Sequence, residues 1–338
     1  MGRLERDILK KGEKEIDMKT IMVILTGGTI GSQIQKKEHQ IKCGKIDVSE
    51  TLFGEWMDSE SLTIYQPVNL LSENETPAVW REVSAFIHER YNEKSWDGIL
   101  ITHGSDTLPY FAAAMGILCS DLNLPVVVTA ANYSLEDPRS NGQVNVRGCM
   151  DYLMDDPEAG TVVIYQNPEE DTKIYDAFQL READHENDHF SSYGECYGRV
   201  ENRQVVCTSD LEGRLSHVRT IYEELKRNQV LASGKEVLCL KPVPGLHYDS
   251  FLVDEGKIGA VLHDTYHSGT ACTEGEKENL LLFQERLKKK RIPLFLTGLK
   301  SNVDNQYETT AKLIQNGAFE LKDCTFETSY VVLVLASF

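Results

Sequence analysis

The sequence predicts an α/β fold built on parallel sheet, and three observations carry that expectation. Short apolar runs alternate with stretches of helical periodicity, glycine-bearing turns follow the runs at residues 21–26 and 98–102, and the alternation occurs twice, on either side of a polar stretch. Strands covered by helices on both faces read as unbroken apolar runs, because neither face meets water. At 338 residues the chain is long enough for about two domains with cores of their own.

Taken in order, the strand runs are 21–26, 62–65, 98–102, 126–130 and 162–165. Helical patterns lie between them: PAVWREVSAFIHERY, with Pro77 suited to a first helical turn, then PYFAAAMGILCSDL and NGQVNVRGCMDYLM. Residues from about 200 to 233 are polar and irregular and read as a linker. Strands at 237–240, 260–263 and 294–297 follow, with the helix ENLLLFQERLKKKR, whose last turns carry the cations that a helix dipole favours there. The closing ETSYVVLVLASF reads as a strand on an open or subunit-covered sheet edge. The expected boundaries are a charged, partly helical extension over 1–18, an N-terminal domain over 19–205, a linker over 206–233 and a C-terminal domain over 234–338. There is no internal repeat and no low-complexity segment.

Composition narrows the function. Lys and Arg number 35 against 53 for Asp and Glu, a net charge of −18, and such a surface repels nucleic acid and anionic membranes. The eight cysteines are scattered, with no C-x-x-C pair, which suits a reducing compartment. The first residues lack the apolar core of a signal peptide and no run is long enough to span a bilayer. A cytoplasmic protein is the expectation.

Two turns carry the chemistry. In LTGGTIGSQ, Gly27 and Gly28 let the backbone leave an apolar run and deliver Thr29. Neither the phosphate-loop pattern nor the dinucleotide G-x-G-x-x-G is present, so Thr29 is a hydroxyl held at a strand end, where open α/β sheets place ligands. In ITHGSDTL a second buried run and a glycine deliver Ser105, Asp106 and Thr107. Each turn alone is equally a helix cap. Together they place two hydroxyls and a carboxylate at strand ends.

TGGTIG and THGSDT, in this order, resemble the bacterial-type L-asparaginase family, most of all its cytoplasmic type I branch. PVVVTAANYSLEDPRSNGQVNVRGCMDYL and LHDTYHSGTA are similar to further stretches of that family, so the resemblance runs from Thr20 to the end of the chain. It implies a larger flavodoxin-like N-terminal domain and a smaller C-terminal α/β domain. It implies amide hydrolysis by a threonine nucleophile without metal or cofactor, and sites formed between protomers of a homodimer or homotetramer. The family's nucleophile falls on Thr29. Its threonine–aspartate pair falls on Ser105 and Asp106, with Asp106 also holding the substrate ammonium. Its lid tyrosine falls on His39 and its lysine, counted back from Phe190 and Ser191, on Arg181. The serine and polar neighbour that hold the substrate carboxylate fall on Ser72 and Glu73. For the acid lent by a neighbouring protomer Glu308 is a weak match.

The departures have consequences. Arginine does not deprotonate, so Arg181 orients Ser105 or stabilises negative charge but is no base; paired with Glu182 or Asp184 it is a surface residue. His39 titrates near neutrality and can be a base, or it is a solvated loop residue. Glu73 disfavours a nearby substrate carboxylate unless it is neutralised or turned away, which favours an amide other than plain asparagine. The expected function is ammonia release from L-asparagine or a related small amide. A binding or regulatory module on the same fold is the alternative. A third reading, the asparaginase-like component of an archaeal-type tRNA-dependent amidotransferase, is disfavoured by the negative charge and by the lack of an added N-terminal domain.

Overall fold

A computed structural model describes residues 19–35, 40–43, 49–57, 61–208, 210–301 and 305–338. Strand β1 (Ile21–Leu25) leads to a hairpin of β2 (Ser32–Gln35) and β3 (Gln40–Cys43), then α1 (Ser49–Met57), β4 (Leu62–Tyr65) and α2 (Pro77–Tyr91). The sequence continues through β5 (Gly98–Thr102), α3 (Leu108–Leu118), β6 (Pro125–Thr129), α4 (Gly142–Met154), β7 (Gly160–Gln166) and β8 (Thr172–Asp176). Strands β9 (Gly198–Glu201) and β10 (Gln204–Cys207) precede α5 (Leu211–Arg227). The remainder is β11 (Glu236–Leu240), β12 (Ile258–His263), α6 (Leu280–Lys289), β13 (Leu294–Leu299), α7 (Glu308–Gln315), β14 (Phe319–Lys322) and α8 (Phe326–Ala336).

The large sheet has the order β10-β9-β8-β7-β6-β5-β1-β4, and its β4-β1-β5-β6-β7 part is wholly parallel. From β1 the chain first steps outward to β4, then returns to β5 on the opposite side of β1 and continues to β6 and β7. The direction of winding therefore reverses between β1 and β5, the place where doubly wound sheets open a crevice at their carboxyl ends. Every residue of β1, β5 and β6 is buried, as helices on both faces require. The second sheet, β11-β12-β13-β14, is parallel throughout. Its pleat divides two cores: Ala260, Leu262 and Phe295 face the core of the large sheet, while Val261, Leu294 and Leu296 face a smaller one.

Two expectations are overturned. The stretch read as irregular linker contains α5, which buries Leu211, Leu215, Val218 and Leu225 on one face and is capped by Asp210, whose side chain accepts from Gly213 N at 3.0 Å. Abundant charge masked that helical spacing. The closing run is helix α8, not an edge strand. Its Val331–Leu335 run is apolar on every side because the helix is enclosed, packed on α3, α5 and the second sheet. Thr325 starts it by accepting from Thr328 N at 3.0 Å, a bond characteristic of helix N-caps.

Candidate active site

The first turn begins where β1 ends. Thr26 is fully buried and its backbone N donates to Thr102 O at 3.1 Å, tying the end of β1 to that of β5. Gly27 and Gly28 then adopt φ values of 107° and 73°, which side-chain-bearing residues reach only with strain. Gly28 N donates to Leu70 O at 2.9 Å and Leu70 N to Thr26 O at 3.1 Å. A Cβ on Gly27 would overlap the Leu70 carbonyl. Thr29 opens a 3-10 turn that ends at Gly31 and is anchored by buried Ile30, which leaves the Thr29 side chain only partly covered.

The second turn packs directly on the first. A Cβ on Gly28 would stand 2.5 Å from both N and Cα of Gly104, and one on Gly104 would overlap the Ser72 side chain. Three chain segments therefore meet with no room for a methyl group between them: Gly28–Thr29, Gly104–Ser105–Asp106 and the 3-10 turn Ser72–Asn74. Within this group Ser72 is buried, Ser105 is half-buried, and Asp106 and Glu73 are exposed. The G-Q-x-N start of α4 fixes the next strand end. Asn145 donates to Ala130 O at 2.9 Å and accepts from Gln166 N at 2.8 Å, clamping the ends of β6 and β7.

Sequence reasoning passed over the residues beneath the turns. His103 is 1% exposed and stacks on Phe111 with ring centroids 4.1 Å apart. Its Nδ1 is 2.7 Å from Thr26 Oγ1, its Nε2 is 3.1 Å from Thr107 Oγ1 and 3.5 Å from Glu75 Oε1. The available signal was a histidine next to the glycine of ITHGSDTL and an acid, Glu75, two residues past the pair Ser72–Glu73.

Arg181 lies beside an aromatic ring and two acidic groups. Its guanidinium lies 5.1 Å from the centre of the Tyr193 ring. It lines a space of about 380 Å³ with Lys241, Asp264, Lys300 and Glu327, the last four contributed by or near the second sheet. Burial raises the Asp264 and Glu327 carboxyls above their ordinary range, and nearby Lys241 and Arg181 partly offset this at Asp264. Among the described residues that line this cleft there is neither Thr29 nor Ser105. The expected Arg181–Glu182 pairing is not what engages Glu182: Tyr110 OH donates to its carboxylate at 2.6 Å. Glu308 is exposed and pairs with Lys312 at 2.6 Å. His39 lies outside the described residues. Among those residues no group of three or more His, Cys, Asp or Glu is arranged to hold a metal, and no helix is long and apolar enough to cross a membrane.

Comparison with known proteins bears on this arrangement. The family model "Asparaginase, N-terminal" matches residues 20–212. The D-type subunit of the glutamyl-tRNA(Gln) amidotransferase of Methanosphaera stadtmanae is 26% identical over 340 residues, covering 94% of this chain and 72% of that protein. Its counterpart in Thermococcus kodakarensis, of the same name, is 25% identical over 339 residues, covering 97% and 73%. L-asparaginase 1 of Escherichia coli K12 is 33% identical over 131 residues, 38% of each chain. Among solved structures, the thermostable L-asparaginase from Thermococcus kodakarensis superposes with a TM-score of 0.71 at 19% identity, covering 94% of this chain and 93% of that one. L-asparaginase I from Vibrio cholerae gives 0.68, also at 19% identity and with the same coverage. At that identity the structures speak to the fold.

Proposed function

The chain belongs to the asparaginase family, and we propose that it is an amidohydrolase that releases ammonia from L-asparagine or a related small amide with Thr29 as the nucleophile. The observation that carries this reading is the contact of Gly28, Gly104 and Ser72, which gathers three hydroxyl-bearing turns over the β1–β5 crevice. Thr29 Oγ1 attacks the amide carbon as a base takes its proton, the tetrahedral intermediate breaks its C–N bond as that proton passes to the departing nitrogen and ammonia leaves, and water hydrolyses the acyl-threonine ester that remains. Exposed Asp106 would hold a substrate ammonium, Ser72 its carboxylate, and Ser105 would hydrogen-bond the reacting group. Exposed Glu73 adds negative charge beside that carboxylate position. His39 is the proposed base; Arg181, which does not deprotonate, would act at most by orienting or stabilising charge. Assembly into homodimers or homotetramers and a cytoplasmic location belong to the same proposal.

A second reading is favoured by the two amidotransferase relatives, whose similarity extends over 94% and 97% of this chain: the same hydrolysis would then supply ammonia within a larger assembly. Ammonia release measured on L-asparagine, L-glutamine and short amidated peptides, with and without Thr29→Ala, tests the proposal. At least one amide should yield ammonia that the variant does not release. No release from any compound would leave a binding or regulatory module.

A further inference from the structure

Two buried titratable groups stand directly below the three turns, and the proposed reaction uses neither. The Glu75 carboxyl is 2% exposed and its Oε1 has no hydrogen-bond partner, yet it lies 3.5 Å from His103 Nε2. A lone carboxylate in such a place costs several kcal/mol.

Hydrogen-bond bookkeeping around His103 decides where protons must be. Thr26 Oγ1 stands 2.7 Å from Nδ1 and 3.0 Å from Thr102 O, so its one proton can serve either and places no demand on Nδ1. Thr107 Oγ1 donates to Ser72 O at 3.4 Å and stands 3.1 Å from Nε2. One hydroxyl proton cannot serve both. If Nε2 is bare it takes that proton, the Ser72 carbonyl keeps only the bond from Glu75 N at 2.9 Å, and Glu75 is left as an unpaired buried charge. If Nε2 is protonated, it faces Glu75 and donates to Thr107, whose own proton then reaches Ser72.

We propose that Glu75 holds the His103 ring in the form that carries a proton on Nε2, and that this frees Thr107 to hold the Ser72–Asn74 turn against Gly104. Glu75, His103 and Thr107 are positioning residues: they act through Ser72 and its neighbour Glu73. The inference deepens the amidohydrolase reading of this site and rests on it only for its kinetic readout.

Nitrogen NMR of the full chain at neutral pH is the direct test, because it needs no substrate. His103 Nε2 should give a protonated-type signal in the native chain and should lose its proton in Glu75→Gln. Amide exchange at Asn74 and Glu75, whose backbone N–H groups close the turn on Leu71 O and Ser72 O, should quicken about tenfold in Glu75→Gln, the weight of roughly one hydrogen bond. Thr107→Val should quicken it equally while leaving the proton on Nε2, and Glu75→Asp should restore part of the native behaviour. With whichever amide is hydrolysed, KM should rise about tenfold and kcat stay nearly constant in both Glu75→Gln and Thr107→Val. A bare Nε2 in the native chain overturns the proposal, as does unchanged exchange in Thr107→Val. Should Glu75→Gln fail to fold, the native spectrum and Thr107→Val still decide. Should no amide be hydrolysed, the ring and exchange readings stand while the functional reading falls.

Discussion

Gly28 and Gly104 meet so closely that a Cβ on the first would stand 2.5 Å from the backbone of the second. The two motifs, separated in sequence by strands and helices, are in direct backbone contact. Gly28→Ala should therefore cost at least about 2 kcal/mol, from the overlap and from its φ of 73°. Gly31→Ala, with nothing within 4 Å of the added carbon, should change stability by less than about 0.5 kcal/mol. Urea unfolding of both variants checks the contrast, and equal losses would contradict the packing.

Thr29→Ala should abolish ammonia release while leaving the melting temperature nearly unchanged, since it removes one hydroxyl and one methyl from a partly exposed position. Thr29→Ser should retain a fraction of the rate because the attacking oxygen survives. Full activity in Thr29→Ala, assayed with the amide that the native chain hydrolyses best, would exclude this residue as nucleophile.

His39 supplies a pH signature. If it is the base, the rate falls as pH drops through the ordinary imidazole value near 6.5, because the protonated ring accepts nothing. His39→Ala should then flatten that limb and slow the reaction roughly 10²–10⁴-fold, and His39→Tyr should do better than His39→Ala. An unaltered profile in His39→Ala points to another base.

Glu73 and Asp106 are both exposed on the gathered turns and add negative charge there. Efficiency on free L-asparagine should be lower than on another amide of the panel, and Glu73→Gln should narrow the gap. A native preference for L-asparagine over every other compound would contradict this.

His263 makes a stability prediction at the second sheet. It is wholly buried, Tyr248 OH lies 2.7 Å from its Nε2, and burial pushes its pKa down to about 4. The folded state thus binds fewer protons there than the unfolded chain, so stability is full above about 6.5 and is lost as pH falls toward about 4. Denaturant midpoints measured from pH 7 to 4 should fall along this limb in the native chain and fall less in His263→Gln. Parallel curves would refute it.

Much of the fold is legible in the amino-acid string itself. The run IMVILT and the glycines after it specify both a buried parallel strand and the place of Thr29, because apolar continuity and positive φ are local demands. The fully buried β5 and β6 are equally plain. What escapes is decided by surroundings. The run 331–335 looks like a strand to any reading of β-branched residues and becomes helix α8 because protein encloses it on all sides. Leu211, Leu215 and Val218 declare a helix only once charged neighbours are allowed to face water. Glu75 looks like one acid among many in SENETP, and nothing in the string indicates that it is closed in beside His103. Arg181 is placed by counting, and counting carries no information about the Lys241, Asp264 and Glu327 side chains that share its surroundings.

Helix α8 has a consequence for how the molecule can be taken apart. It lies against α3 and α5 on one side and β11, β12 and β13 on the other. Thr328 Oγ1 donates to Phe178 O at 2.8 Å, and Ser329 Oγ lies 2.8 Å from Thr297 Oγ1. A wedge encoded after both sheets thus packs on helices that flank the first and on strands of the second. An excised fragment ending near residue 205 would uncover the apolar flank of α3, and a fragment starting near 234 would present α8 with half of its surface bare. The N- and C-terminal parts are best pictured as co-dependent in a single melting event: subcloning either alone should give aggregated material, whereas supplying residues 1–233 and 234–338 on separate polypeptides, which keeps α5, should recover soluble protein.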